Sequence, residues 1–140
     1  MSVVNKQFLY EFIKKQWLAV LTTVNEKLQP EAALIGIAVT PELEIVFDTS
    51  NTSRKYQNII QNPAVALVIG WDNEITLQYE GIATELKIDD VFYREIYFDT
   101  FKEGRQRAES MHGIVHFKIT PNWARYCDYN DPMIIKELTL

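Results

Sequence analysis

FDTSNTSRKYQNIIQNP, residues 47–63, is the stretch on which the reading of this chain turns. It leaves an apolar strand (Leu43 to Phe47), crosses the small polar residues Asp48 to Thr52, and starts a short helix. Ser53 is placed to cap that helix, and Tyr56, Ile59 and Ile60 recur at helical spacing. Asn62-Pro63 ends it, because proline cannot continue a helix and pushes the preceding residue out of the α region. Arg54 and Lys55 break a rule. They sit in the first turn, where unpaired N–H groups and the positive end of the macrodipole already lie, at a cost of ~0.3–1 kcal/mol each. A bound anion resolves the conflict: the helix N-terminus, the Thr49 and Ser53 hydroxyls and both cations would hold a phosphate. The alternative is a solvated basic pair after a plain polar turn, and spacing alone does not separate the two.

Outward from that stretch the chain reads as short strands. Asn5 to Lys15 is expected to be an amphipathic helix with Phe8, Leu9, Phe12 and Ile13 on one face. Strands are expected over Leu18–Val24, Glu31–Val39 and Leu43–Phe47, joined by turns at Asn25-Glu26-Lys27 and Pro41-Glu42. Gly36, inside the second strand with Ala32, Ala33 and Ala38 around it, marks a bulge, a barrel bend or a low shelf for a flat ring. After the helix, Ala64–Trp71 reads as a strand buried on both faces. Ile75–Leu86 returns with a bulge at Gly81. Asp89 starts a second helix running to about Lys102, with Gly104 just past its end and Arg105 and Arg107 in a loop. Gly113–Thr120 and Asn122–Tyr129 complete the strands. Few helices and no βαβ alternation point to a mainly β protein, an antiparallel barrel with helices packed against it.

The 140 residues fit one domain, 1–140, able to bury ~65–70% of its unfolded surface. A net charge of −5 with no basic stripe argues against nucleic acid. One cysteine, Cys127, excludes an intrachain disulfide and a multi-cysteine metal cage. No run of 18 apolar residues implies a membrane span, and MSVVNKQFLY lacks a signal-peptide pattern, so a cytoplasmic location is expected. His112 and His116 lie four apart on an expected strand and lack a third ligand, so no metal is expected. Asp89-Asp90, Asp128 and Asp131 read as cap and turn residues. No general base stands out and no catalytic residue is assigned. A phosphate clamp and a flat shelf without acid/base groups point to a cofactor that supplies the reactivity.

The sequence resembles the pyridoxamine 5′-phosphate oxidase-like FMN-binding split barrels, in particular their short single-domain bacterial members. The matching residues are Phe47, Thr49, Ser53, Arg54 and Lys55, Asn62-Pro63 before AVALVIGW, Glu80-Gly81, and a closing Pro121, Trp123, Arg125 and Tyr126. The resemblance covers roughly residues 7 to 130. It implies a six-stranded antiparallel split β-barrel and a homodimer with FMN at the subunit interface. Arg54 and Lys55 would grip the phosphate with Thr49, Ser53 and the neighbouring Asp48. Leu34, Ile35 and Gly36 would face the isoalloxazine ring beside Thr76, and Trp123 and Arg125 would reach it from the partner subunit.

Departures accompany the match. Where the oxidase places a lysine for its substrate phosphate, this chain has Ile37-Ala38. Where it places an arginine four residues beyond a Tyr-Phe pair, Phe101 follows Tyr97-Phe98. The R-x-H motif near the C-terminus is absent. The resemblance therefore implies an FMN-dependent oxidoreductase of another small-molecule substrate, with NADH or NADPH as candidate reductant, rather than a maker of pyridoxal phosphate. The competing expectations are a non-enzymatic flavin carrier or stress protein, a barrel holding haem or deazaflavin, and a module with no cofactor.

Overall fold

A computed structural model describes residues 3–140. The elements run α1 (Lys6–Lys14), β1 (Leu18–Val24), β2 (Pro30–Gly36), β3 (Ala38–Val39), β4 (Ile45–Ser50), α2 (Arg54–Gln61), β5 (Ala64–Ile69), β6 (Ile75–Glu85), α3 (Val91–Thr100), α4 (Lys102–Ser110), β7 (Ile114–Asp128) and β8 (Ile134–Thr139). All strand pairings are antiparallel. The sheet has the order β2-β1-β5-β6-β7-β4-β3, with β8 added to the far half of β7. It curls into a split barrel whose gap lies between β2 and β3.

Alternation fills the barrel. Along β4, Ile45, Phe47 and Thr49 turn inward, while Val46 and Asp48 turn out beneath α3. Leu21, Leu67, Ile69, Leu77, Phe117 and Ile119 complete the interior, and α1 closes one end with Leu9 and Ile13. Phe8 and Phe12 of that helix meet Tyr126 edge-on at 5.1 and 5.5 Å. Tyr79, 1% exposed, spends its hydroxyl proton between the carbonyls of Leu43 (2.7 Å) and Ile119 (3.2 Å), joining two sides of the barrel through its centre.

Several expectations need correction. The strand foreseen over Glu31–Val39 breaks at Ile37, whose N–H donates to the Trp17 carbonyl, and so becomes β2 and β3. Leu43 lies in a turn at φ 65°, and β4 starts only at Ile45. Gly113–Thr120 and Asn122–Tyr129 are one strand, because Pro121 sits opposite Gly81 at a register shift where its missing N–H costs nothing. The loop expected for Arg105 and Arg107 is helix α4, and Gly104 packs in its first turn instead of ending α3. There a Cβ would lie 3.1 Å from the Tyr97 ring. Finally β8, read as no element, pairs with β7 from Trp123 to Asp128, so eight strands replace six.

Helices α3 and α4 dock on the outer face of β4 and β7 through Tyr97 and Phe98, packed with Ala38 and Val46. His116, 3% exposed, is enclosed there with the Tyr97 and Phe98 rings each 5.3 Å from its own. Burial pushes the imidazole down to about 4, against a smaller opposing pull from Asp48. It is therefore neutral in the fold but takes up a proton in the unfolded chain below its ordinary value near 6.5. Stability is lost as pH falls from about 6.5 towards 4.

Two outcomes follow from this packing. Tyr79→Phe is expected to cost ~1–2 kcal/mol in urea unfolding at pH 7, with the slope unchanged, because a buried carbonyl loses its donor. His116→Leu is expected to flatten the decline in stability between pH 6.5 and 4.5, seen as parent and variant midpoints converging on acidification.

Candidate functional site

Helix α2 begins as the stretch 47–63 predicts. The Ser53 side chain accepts the Tyr56 N–H at 3.2 Å, and the first turn contains no acid. Ser53 Oγ lies 2.9 Å from Thr49 Oγ1, and Lys55 Nζ donates to Thr49 Oγ1 at 3.5 Å. Among the described residues Lys55 makes no ion pair. Arg54, its side chain 76% exposed, faces Glu31 across 3.5 Å. Arg54 and Lys55 line a cleft of about 110 Å³ whose floor is Leu21 and Thr23 of β1 and whose other wall is Glu31, Ala32 and Ala33 of β2. Two cations from the first turn of α2 thus face a space of the size of a phosphoryl group, with the Thr49–Ser53 hydroxyl pair next to Lys55.

Glu31 is the member of this group that sequence reasoning missed. Its carboxylate accepts from Asn58 Nδ2 at 2.9 Å and from Asn25 Nδ2 at 3.1 Å. Asn58 is buried and also donates to Thr23 Oγ1 at 2.9 Å. Asn58, then Asn25, and finally Arg54 hold the Glu31 carboxyl below the usual carboxylate range, so it is charged at neutral pH. The signal for it is long-range: 27 residues separate Glu31 from Asn58, and no local pattern links them.

The remaining predicted residues fall elsewhere. Thr76, Trp123 and Arg125 share the outer face of the β6–β7 ladder, where Thr76 pairs with Cys127, Gln78 with Arg125 and Glu80 with Trp123. Thr76 and Trp123 line a hollow of about 320 Å³ that runs across Ala66 and Val68 of β5 to Thr22 of β1. Thr76 Oγ1 and Arg125 Nε are buried without a hydrogen-bond partner, two polar atoms awaiting something on that face. Leu34 stands outward on the same side of the sheet, in register with Val20 and, beyond it, Val68. Ile35 points into the core. Asp48 lies on the opposite face of β4 from Thr49, where it accepts from Tyr97 Oη at 2.9 Å and faces Arg107 at 3.5 Å. Its side chain is thus brought under α3 and α4, away from the cleft. At Gly36 the close approach that the glycine signals is made by Phe101, since a Cβ there would lie 2.8 Å from that ring.

The α2 cleft suits a phosphate, while the hollow beside the orphaned Thr76 is a separate one on the outer face of the sheet. Phe101 narrows the shelf beside Gly36. No His/Cys/Asp/Glu cluster fit for a metal occurs among the described residues. No described helix is long and apolar enough to cross a membrane.

Comparison with known proteins agrees with the geometry. A curated protein of Hydrogenovibrio crunogenus, pyridoxine/pyridoxamine 5′-phosphate oxidase 2, is 33% identical over 88 residues, which are 62% of this chain and 40% of that protein. General stress protein 26 of Bacillus anthracis superposes with a TM-score of 0.74 at 21% identity, over 96% of this chain and 98% of its own. A haem-binding protein of Mycobacterium smegmatis reaches 0.83 at 13% identity, over 99% of this chain and 60% of its own. These two likenesses show a common fold. Residues 6–128 match the family model described as pyridoxamine 5′-phosphate oxidase, and the chain belongs to that family.

Proposed function

We propose that this chain is a homodimeric FMN-binding protein that works as an oxidoreductase on a small molecule lacking a second phosphate. The observation that carries the reading is the α2 cradle: Arg54 and Lys55 in a first turn without acid, with Lys55 unpaired by any carboxylate among the described residues. The family commonly binds FMN, and the cradle gives the flavin's phosphate charge-assisted partners. Bound FMN supplies hydride exchange at its ring; the chain supplies grip, orientation and a dry surround. Thr49 and Ser53 would donate to phosphate oxygens, and the α2 N–H groups would add theirs.

The second subunit belongs to the proposal for a physical reason. On the outer sheet face Leu34, Val20, Val68, Ala66, Ala64 and Ile82 form an apolar band over four strands, without a covering helix. Such a band beside two orphaned polar atoms favours closure by another copy with flavin at the seam. The haem alternative carries less. His116 is enclosed by Tyr97 and Phe98 and would not serve as a haem ligand, which would leave only the exposed His112 among the histidines.

Purified protein is expected to show flavin absorbance, or to gain it when FMN is added. Arg54→Ala with Lys55→Ala should weaken FMN roughly a hundredfold or more in fluorescence titration, since charged hydrogen bonds contribute ~1.5–3 kcal/mol each. Equal binding by parent and double variant would remove the phosphate assignment. Val68→Glu should convert a dimer to a monomer in light scattering and lower flavin binding with it. Anaerobic mixing with NADH or NADPH separates an enzyme, whose flavin bleaches and recovers with turnover, from a carrier.

A further inference from the structure

We propose that Glu31 is a built-in counter-anion that competes with the ligand's phosphate for Arg54 and makes the flavin an exchangeable partner of this protein. The inference rests on the FMN reading above and concerns the same cleft.

The argument is one of charge and rigidity. The charged groups facing the cleft are Arg54 and Lys55 from α2 and Glu31 from β2; β1 contributes only Leu21 and Thr23. Two positive charges and one negative leave a net of +1. A phosphate monoester carries about −1.5 to −2 at pH 7, so the site is undercharged for its ligand. Glu31 cannot leave easily. Asn58 and Asn25 hold its two oxygens from behind, and Asn58 is itself buried and tied to Thr23. Arg54 is the mobile member, on a largely exposed side chain with a long 3.5 Å contact. Phosphate entry therefore draws Arg54 from a fixed carboxylate and leaves that carboxylate beside the new anion. Both effects weaken the complex and speed its dissociation. With no ligand bound, the same carboxylate offsets the cations at the positive end of α2.

The test compares the parent with Glu31→Gln, using FMN, riboflavin and inorganic phosphate as probes. Glu31→Gln should bind FMN roughly tenfold tighter at pH 8, where the phosphate is a dianion, and only about threefold tighter at pH 5.5, where it is largely singly charged. Dissociation measured by stopped-flow fluorescence should slow by a similar factor. Riboflavin, which has no phosphate, should bind parent and variant alike. Inorganic phosphate should shift the Lys55 and Tyr56 amide resonances at lower concentration in the variant. Arg54→Ala should cost more in the Glu31→Gln background than in the parent, because only the parent has the competitor. Glu31→Ala repeats the comparison without the new amide.

If Glu31→Gln and Glu31→Ala bind FMN and phosphate no better than the parent, or bind them worse, the proposal is overturned. An effect on riboflavin equal to that on FMN also overturns it. Absence of FMN binding by parent and variants, with phosphate still shifting the α2 amides more readily in Glu31→Gln, would refute the flavin reading and leave the counter-anion standing.

Discussion

Gly81 lets β6 and β7 pass at a separation that any side chain would forbid. A Cβ on it would stand 2.5 Å from the Thr120 carbonyl oxygen and 2.8 Å from Ile119 Cγ2. Across from it, Pro121 and Trp123 pair with consecutive residues, which leaves Asn122 as the extra member of a bulge. A bulge bends and twists its strand. Here it divides β7 into a half that pairs with β4 and a half that pairs with β8, while β6 runs beside both. Closure of the barrel over Tyr79 depends on that bend. So does the placing of Trp123 and Arg125 on the outer face with Thr76, because a one-residue slip would turn them inward.

The other end of the site has an electrostatic origin. A helix that starts with two cations is a poor helix by local rules, and the fold compensates from a distance. Glu31 comes from β2, and the buried Asn58 joins it to α2 while also tying α2 to Thr23 of the neighbouring β1. This compensation is partial. Arg54 is mostly in water and Lys55 reaches only a hydroxyl, so the cleft keeps a positive balance suited to an anion. A site neutralised entirely from within would have no affinity left to offer.

Local chemistry made much of this visible in sequence. The Ser53 cap, the stop at Asn62-Pro63 and the Gly81 bulge are contained in a few adjacent residues each, and the structure has them all; β5, expected to be buried on both faces, instead alternates, with Ala64, Ala66 and Val68 exposed on its outer side. What escaped has a common cause. Helix α4 is polar nearly all round, so it lacks the apolar stripe by which a helix is recognised; it is held by Gly104 against Tyr97, Arg105 over Phe98 at 4.7 Å and Arg107 at Asp48. The break at Ile37 is imposed by the Trp17 carbonyl, and β8 by the free edge of β7. Likewise Gly36 announced a close neighbour without naming it, and alternation along β4, once its register is known, is enough to send Asp48 away from Thr49.

These tertiary contacts also set the character of the face beside Gly36. Ala38, Tyr97 and Phe101, on the side of the sheet where a second anion would be sought, belong to one apolar cluster with Val46 and Phe98. Phe101 presses its ring on the Gly36 backbone, and the Trp17 ring meets it edge-on at 5.9 Å. Trp17 is held at φ 61°, a conformation costly for a bulky residue, with its indole half-exposed beside that ring. The two arginines of α4 offer no replacement receptor. Arg105 is paired with Glu95 and stacked on Phe98, while Arg107 is drawn to Asp48. Arg94 also lies over the Phe98 ring at 5.4 Å, so the positive charge on this face is held against aromatic carbon or paired with acids of the chain. Both arginines of α4 are thus engaged within the fold, whereas Arg54 and Lys55 at α2 keep a positive balance.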